Sequence, residues 1–162
     1  MLKFDGKWLG VAAVAAWIQL GCASQMIPNT DVEDTPYNRS VVQYCEEYRH
    51  AVEQRNVARL LLMAHPSYYE DGGNVDSSDD IDYAGLEKFL RDKYLRTKAI
   101  RYEIRYRRVG QGRKDVIYVD YTYSASYKIV TEDNEEVWRR TVADNRIEMV
   151  PDGDKFKIVS GM

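Results

Sequence analysis

The chain has 162 residues, of which 26 are acidic and 23 basic, for a formal charge of −3. That mild negative balance argues against nucleic acid or anionic lipid as a major partner. Two cysteines and two histidines, with no paired thiols, offer no zinc-type spacing, so neither a metal nor a cofactor is expected.

Residues 1–21 read as an export signal. Lys3 and Lys7 precede an uncharged run over residues 9–18. With Trp8, Gln19 and Leu20 the run still falls short of the roughly 20 apolar residues that span a bilayer. It also lacks the polar face of a helix buried in a folded domain. Gly21-Cys22 resembles the end of the lipobox of bacterial lipoproteins, although Gln19 and Leu20 depart from the residues usual before it. The resemblance implies a lipid on Cys22 and attachment to a membrane of the cell envelope. Ala23 after the cysteine, rather than Asp, implies the outer membrane, facing the periplasm. Ordinary cleavage after Ala23, at a small-x-small site, is the alternative.

Removing residues 1–21 takes away Lys3, Lys7 and Asp5, leaving 141 residues and a charge of −4. That length suits one domain with its own core. Cys45 is the only other cysteine, so a lipidated Cys22 leaves no internal disulfide. Residues 22–35 are polar, contain Pro28 and show no periodicity, which predicts a flexible tether. Thr35-Pro36 opens a first helix, with Val41, Tyr44, Cys45, Tyr48, Ala51 and Val52 on one stripe. Cys45 lies on that stripe and reads as a packed residue. Arg55-Asn56 breaks the helix, and a short second helix runs to Ala64 before Pro66.

Residues 67–71 read as a short strand ended by Gly72-Gly73. Residues 74–82 form an acidic loop whose spacing does not match a calcium-binding EF-hand, and Asp82 is placed to cap the next helix. Leu86, Phe89, Leu90 and Tyr94 mark a third helix over about 83–95, with a basic end that suits the helix dipole. The period then changes from 3.6 to 2. Ile100, Tyr102, Ile104 and Tyr106 alternate with charged residues. Ile117, Val119, Tyr121, Tyr123, Ala125, Tyr127 and Ile129 alternate with mostly polar ones. A third long strand covers 137–150, and a tight turn at Asp152-Gly153 leads into a last strand over 155–161. In the third strand the apolar parity shifts from Trp138 and Val142 to Ile147 and Met149, which predicts a bulge near Ala143-Asp144. The order gives an α+β fold: three N-terminal helices on one face of a curved four-strand antiparallel meander, with one extra short strand.

Two stretches carry a family resemblance. EYRHAVEQRNVARLLLMAHPSYYEDGG is similar to the opening of nuclear-transport-factor-2-like domains, also called SnoaL-like or ketosteroid-isomerase-like. DGDKFKIVSGM resembles their last hairpin strand. The likeness covers residues 38–162, within a domain assigned to 36–162. Tether and domain together also look like lipoproteins of myxobacteria and their relatives. The resemblance implies a cone with a pocket, but no single activity, since the fold hosts isomerases, cyclases, dehydratases and non-catalytic binders.

Enzymes of that superfamily place an Asp, His or Tyr inside the cone. Here the inner faces offer Tyr102, Tyr106, Tyr121, Tyr123 and Tyr127, and Trp138, Arg140 and Asp144, which share one parity, join the candidate pocket. Asp120 falls on the opposite, solvated face. His65 sits at a helix end. Arg101, Arg105, Arg107 and Arg108 read as an outer sheet face, which in this superfamily often joins two copies. No Asp–His pair stands out. The expected function is a lipid-anchored envelope domain, non-catalytic, that binds a small apolar ligand or a protein partner. An acid/base enzyme of isomerase or cyclase type is the alternative, and a purely structural subunit a third.

Overall fold

A computed structural model describes residues 25–72 and 77–162. Cys22 and the export-type segment 1–21 lie outside the described residues, as do Asn74 and Asp76 of the acidic stretch. No helix among the described residues is long and apolar enough to cross a membrane.

Helix α1 spans Pro36–Glu53. Thr35 stays extended, and its Oγ1 accepts the Asn38 backbone N–H at 3.1 Å. Pro36 fits the first turn because it has no N–H to leave unpaired. The stripe Val41, Val42, Tyr44, Cys45, Tyr48, Ala51 and Val52 is buried. Arg55 turns the chain with a left-handed φ of 53°. The Asn56 side chain then accepts the Arg59 N–H and starts α2, Val57–Met63. Strand β1, Tyr69–Glu70, pairs antiparallel with β2, Ile81–Asp82. The acidic stretch is therefore a strand at its end, where the sequence predicts only loop. Asp82 also caps α3, Tyr83–Leu95, accepting the Gly85 N–H at 2.7 Å.

Strands β3 (Thr97–Gln111), β4 (Ile117–Val130), β5 (Glu136–Asp152) and β6 (Lys155–Ser160) form an antiparallel meander in chain order. Period 2 puts Ile100, Tyr102, Tyr106, Ile117, Val119, Tyr121, Ala125, Ile147, Met149 and Ile158 on one buried face. Helix α1 lies along β3, α2 reaches β6, and α3 meets β3 and α2. The result is a cone-shaped α+β fold with one continuous core. Each fully buried Ile or Leu in it contributes about 1.5–3 kcal/mol. Gly161 closes the cone. Its φ is +89°, and a Cβ there would stand 2.0 Å from the Arg146 carbonyl oxygen. Its N–H donates to the Glu70 carboxylate at 2.6 Å, tying the chain after β6 to β1.

The expected bulge at Ala143-Asp144 is not there. The β4–β5 register runs unbroken from Ile117 opposite Met149 to Val130 opposite Glu136. The irregularities lie at Thr97/Ala99 and Tyr106/Arg108 against β4, and at Glu148/Met149 against β6. Trp138, Arg140, Val142 and Asp144 therefore keep one parity with Arg146 and stand on the outer face. Inner positions Arg139 and Thr141 are exposed as well. Where neither face is buried, apolar residues do not report which face points inward.

The flexible tether predicted for 22–35 also gives way where it is described. Met26 and Glu33 form an antiparallel bridge. Val32 is 3% exposed and joins the core. The Asp31 N–H donates to the Tyr106 carbonyl at 2.9 Å. The Asp31 carboxylate pairs with Arg105 at 2.7 Å and Arg107 at 2.8 Å. One apolar anchor and one acid facing two arginines dock a segment whose composition is otherwise polar.

Candidate functional site: the cone cavity

A cavity of about 210 Å³ lies between the helices and the inner sheet face. Tyr48 and Val52 of α1, Leu60 of α2, and Leu90, Lys93 and Tyr94 of α3 form one wall. Tyr102, Tyr123, Tyr127, Asn145 and Met162 form the other. The strand register explains the space. Ala125, fully buried, stands opposite Tyr102, with Tyr123 and Tyr127 on either side of it along β4. A methyl group among three rings leaves room that a larger side chain would fill. The Tyr102 and Tyr123 rings tilt against each other with centroids 5.4 Å apart.

Burial sets the electrostatics. It pushes the Tyr48 and Tyr102 hydroxyls well above the ordinary phenol range. It raises Tyr94 to about 12 and shifts Tyr127 upward. These phenols are neutral at pH 7, and the Tyr102 O–H is engaged with the Tyr121 hydroxyl. Lys93 is an exposed residue, and desolvation by the chain around it lowers its pKa. No Asp, Glu or His is among the described residues that line the cavity. Nor do three His, Cys, Asp or Glu side chains come together as a metal site among the described residues.

The structure divides the residues proposed from sequence. Tyr102, Tyr123 and Tyr127 line the cavity. Tyr121, 1% exposed, packs in the core beside it. Its hydroxyl accepts from Asn145 Nδ2 at 3.0 Å, and burial raises its pKa to about 12. Tyr106 turns toward α1 and donates its O–H to Glu46 at 2.7 Å. Trp138, Arg140 and Asp144 stand outside, as parity dictates. The Arg101 guanidinium lies 5.1 Å from the Trp138 ring centre. Arg140 donates to Ser124 Oγ, and Asp144 accepts from Thr122 Oγ1 at 2.6 Å. Asp120 is on the outer face but engaged: Arg146 and Arg108 each reach it at 2.7 Å, and the Arg146 hydrogen bond leads in lowering its pKa. The Tyr118 ring lies between those two guanidiniums and over Gly110, where a Cβ would come within 2.3 Å of it. Cys45 is 1% exposed, with its thiol pKa raised by burial. His65 takes the Ser67 backbone N–H in a local turn.

Sequence reasoning missed the helical wall. The stripes of α1 and α3 read as core, and the cavity takes Tyr48, Val52, Leu90 and Tyr94 from them. Lys93 read only as part of a basic helix end. Its signal was the absence of an acid at helical spacing: Phe89 and Leu90 precede it, and Arg96 and Thr97 follow.

No protein-family model and no curated protein matches the chain. Solved structures do. The Kfla4162 protein from Kribbella flavida superposes with a TM-score of 0.61 at 11% identity, over 76% of this chain and 86% of that one. A conserved protein from Planctomyces limnophilus gives 0.62 at 6% identity, over 77% and 92%. A protein provisionally described as a dehydratase from the NTF2-like family of Streptomyces avermitilis gives 0.58 at 11% identity, over 76% and 92%. The fold is NTF2-like, and at these identities the likeness extends to the fold alone.

Proposed function

We propose that this chain is a lipid-anchored domain of a bacterial cell envelope whose cone binds a small, largely apolar ligand without transforming it. The observation that carries the reading is the cavity lining: tyrosine, leucine, valine and methionine surface with Asn145 and Lys93, and no carboxylate or imidazole among the described residues there. General acid/base work draws on a group that exchanges its proton near the working pH, and burial holds these phenols protonated far above it. Size narrows the ligand. The 210 Å³ space exceeds the ~150 Å³ that accepts a benzene and falls below the ~300 Å³ at which drug-sized pockets begin. One ring with a short substituent fits.

The anchor is supported by Gly21-Cys22 after the short apolar run. A lipid there has a geometric consequence. Only three residues separate Cys22 from Met26, where the docked segment begins its bridge. At about 3.6 Å per residue the leash is short, and the domain sits close to the bilayer. Mass spectrometry of the protein purified from its native membrane tests both halves. The expected result is a lipid-modified Cys22 N-terminus and a co-purified single-ring compound. An unmodified N-terminus at Ser24 contradicts the anchor, and catalytic conversion of a bound compound contradicts the binding role.

A further inference from the structure

Lys93 differs from the other cations on its helix. Lys88 pairs with Asp92 at 2.6 Å and Arg91 with Glu87 at 2.7 Å, both one turn apart. Lys93 has no carboxylate at ion-pair distance among the described residues. Its ammonium stands 5.3 Å from the centre of the Phe89 ring, one turn back along α3. It lines both the cone cavity and the outer groove along α3, which places it at the cavity's mouth.

Three facts about the cavity bear on what this ammonium meets. The other described residues that line the cavity are uncharged, so its lining carries one positive charge, while Asp79, Asp80 and Asp92, the last paired with Lys88, line the outer groove that Lys93 shares. The phenols are held neutral and protonated, so they do not repel an anion, and the Tyr48 and Tyr94 hydroxyls are donors it can use. An ammonium with no ion-pair partner among the described residues is open to a charge-assisted hydrogen bond with a carboxylate. The rest of the lining is rings and aliphatic side chains with the phenol hydroxyls and the Asn145 amide as its polar groups.

We infer that the cavity's occupant is a single-ring monocarboxylate, its ring among Tyr102, Tyr123 and Tyr127 and its carboxylate on the Lys93 ammonium. The inference rests on the reading of the cavity as a ligand site. One carboxylate matches one ammonium in charge. A phosphate monoester, close to doubly charged at pH 7, would leave charge unmatched beside apolar walls.

The test is calorimetric titration of the purified protein with phenylacetate and with phenylacetamide, its neutral analogue of nearly the same shape. Phenylacetate is expected to bind about tenfold or more tightly than the amide, as an added charge-assisted contact gives. Lys93→Met should erase that preference and leave the affinity for the amide within about twofold. Equal affinities in the unmodified protein, or a preference that survives Lys93→Met, overturn the inference. The first comparison needs no variant, so it decides even if Lys93→Met folds poorly. Binding of the amide without preference for the acid leaves the ligand site standing and removes the role of Lys93. Binding of neither compound at millimolar concentration removes the ligand site, and this inference with it.

Discussion

The inner face of β4 begins with Ile117 and Val119 and ends with Tyr123, Tyr127 and Ile129. The first two stand opposite Met149 and Ile147 of β5, Met149 stands opposite Ile158 of β6, and all five are at most 1% exposed. Near the other end, Tyr123 and Tyr127 flank Ala125, and a cavity of about 210 Å³ remains. Both regions obey the same period-2 rule, so alternation alone does not distinguish a packed core from a pocket. Side-chain shape does. Flexible and branched aliphatics close around one another and around the Tyr121 ring to crystal-like density, whereas the rings of Tyr102, Tyr123 and Tyr127 around the Ala125 methyl leave space.

Paired truncations offer the largest way to break this contrast. Ile147→Ala, at the filled end, should cost about 2–5 kcal/mol in urea unfolding, as buried large-to-small changes do. Tyr127→Leu, beside the existing space, should cost about 0.5–1.5 kcal/mol. Equal costs would mean that the two ends are packed alike.

Much of the fold was legible because its signals are local. Thr35-Pro36 starts α1, Arg55-Asn56 breaks it, Asp82 caps α3, and the period changes after Leu95. What escaped depends on contacts far apart in sequence. Strand β2 is two residues whose only mark is their pairing with β1. The parity of β5 was unreadable near Trp138 because burial selects residues on neither face there. Of the strand tyrosines read as pocket residues, Tyr102, Tyr123 and Tyr127 line the cavity while Tyr106 and Tyr121 pack elsewhere, and Lys93 was not legible at all. Its meaning lies in the partner it lacks after folding.

The docked segment before α1 gives the next effect. Val32→Ala removes two buried methyl groups and should cost about 1–2 kcal/mol, at ~0.8 kcal/mol per methylene-sized group. No change in thermal or urea stability would return residues 25–35 to the status of a free tether.

A smaller effect follows from Asp31. Hydrogen bonds from Arg105 and then Arg107 lower its pKa from 3.8 to about 2. A carboxylate with a depressed pKa stabilises the folded state above its unfolded value, and that contribution fades as pH falls through the folded one. Backbone NMR signals of residues 26–33 should therefore titrate with a midpoint near 2. A midpoint at the ordinary 3.8 would show that the two arginines do not hold it.

The smallest effect belongs to the outer face. Trp138 is 49% exposed, so Trp138→Ser should change stability by no more than about 0.5 kcal/mol. Urea unfolding of that variant checks the parity of β5. A loss above about 2 kcal/mol, of the size that truncation in a core brings, would put the ring inside after all.

The central claim is that the tyrosine end of the cone takes a ligand, and NMR shift mapping with p-cresol tests it most directly. Shift changes should be confined to Leu90, Tyr102, Tyr123, Tyr127 and their neighbours. They should also be lost in Val52→Phe, which puts a ring into the cavity. Shift changes centred on Trp138 and Arg101, or p-cresol binding undiminished by Val52→Phe, would contradict the claim.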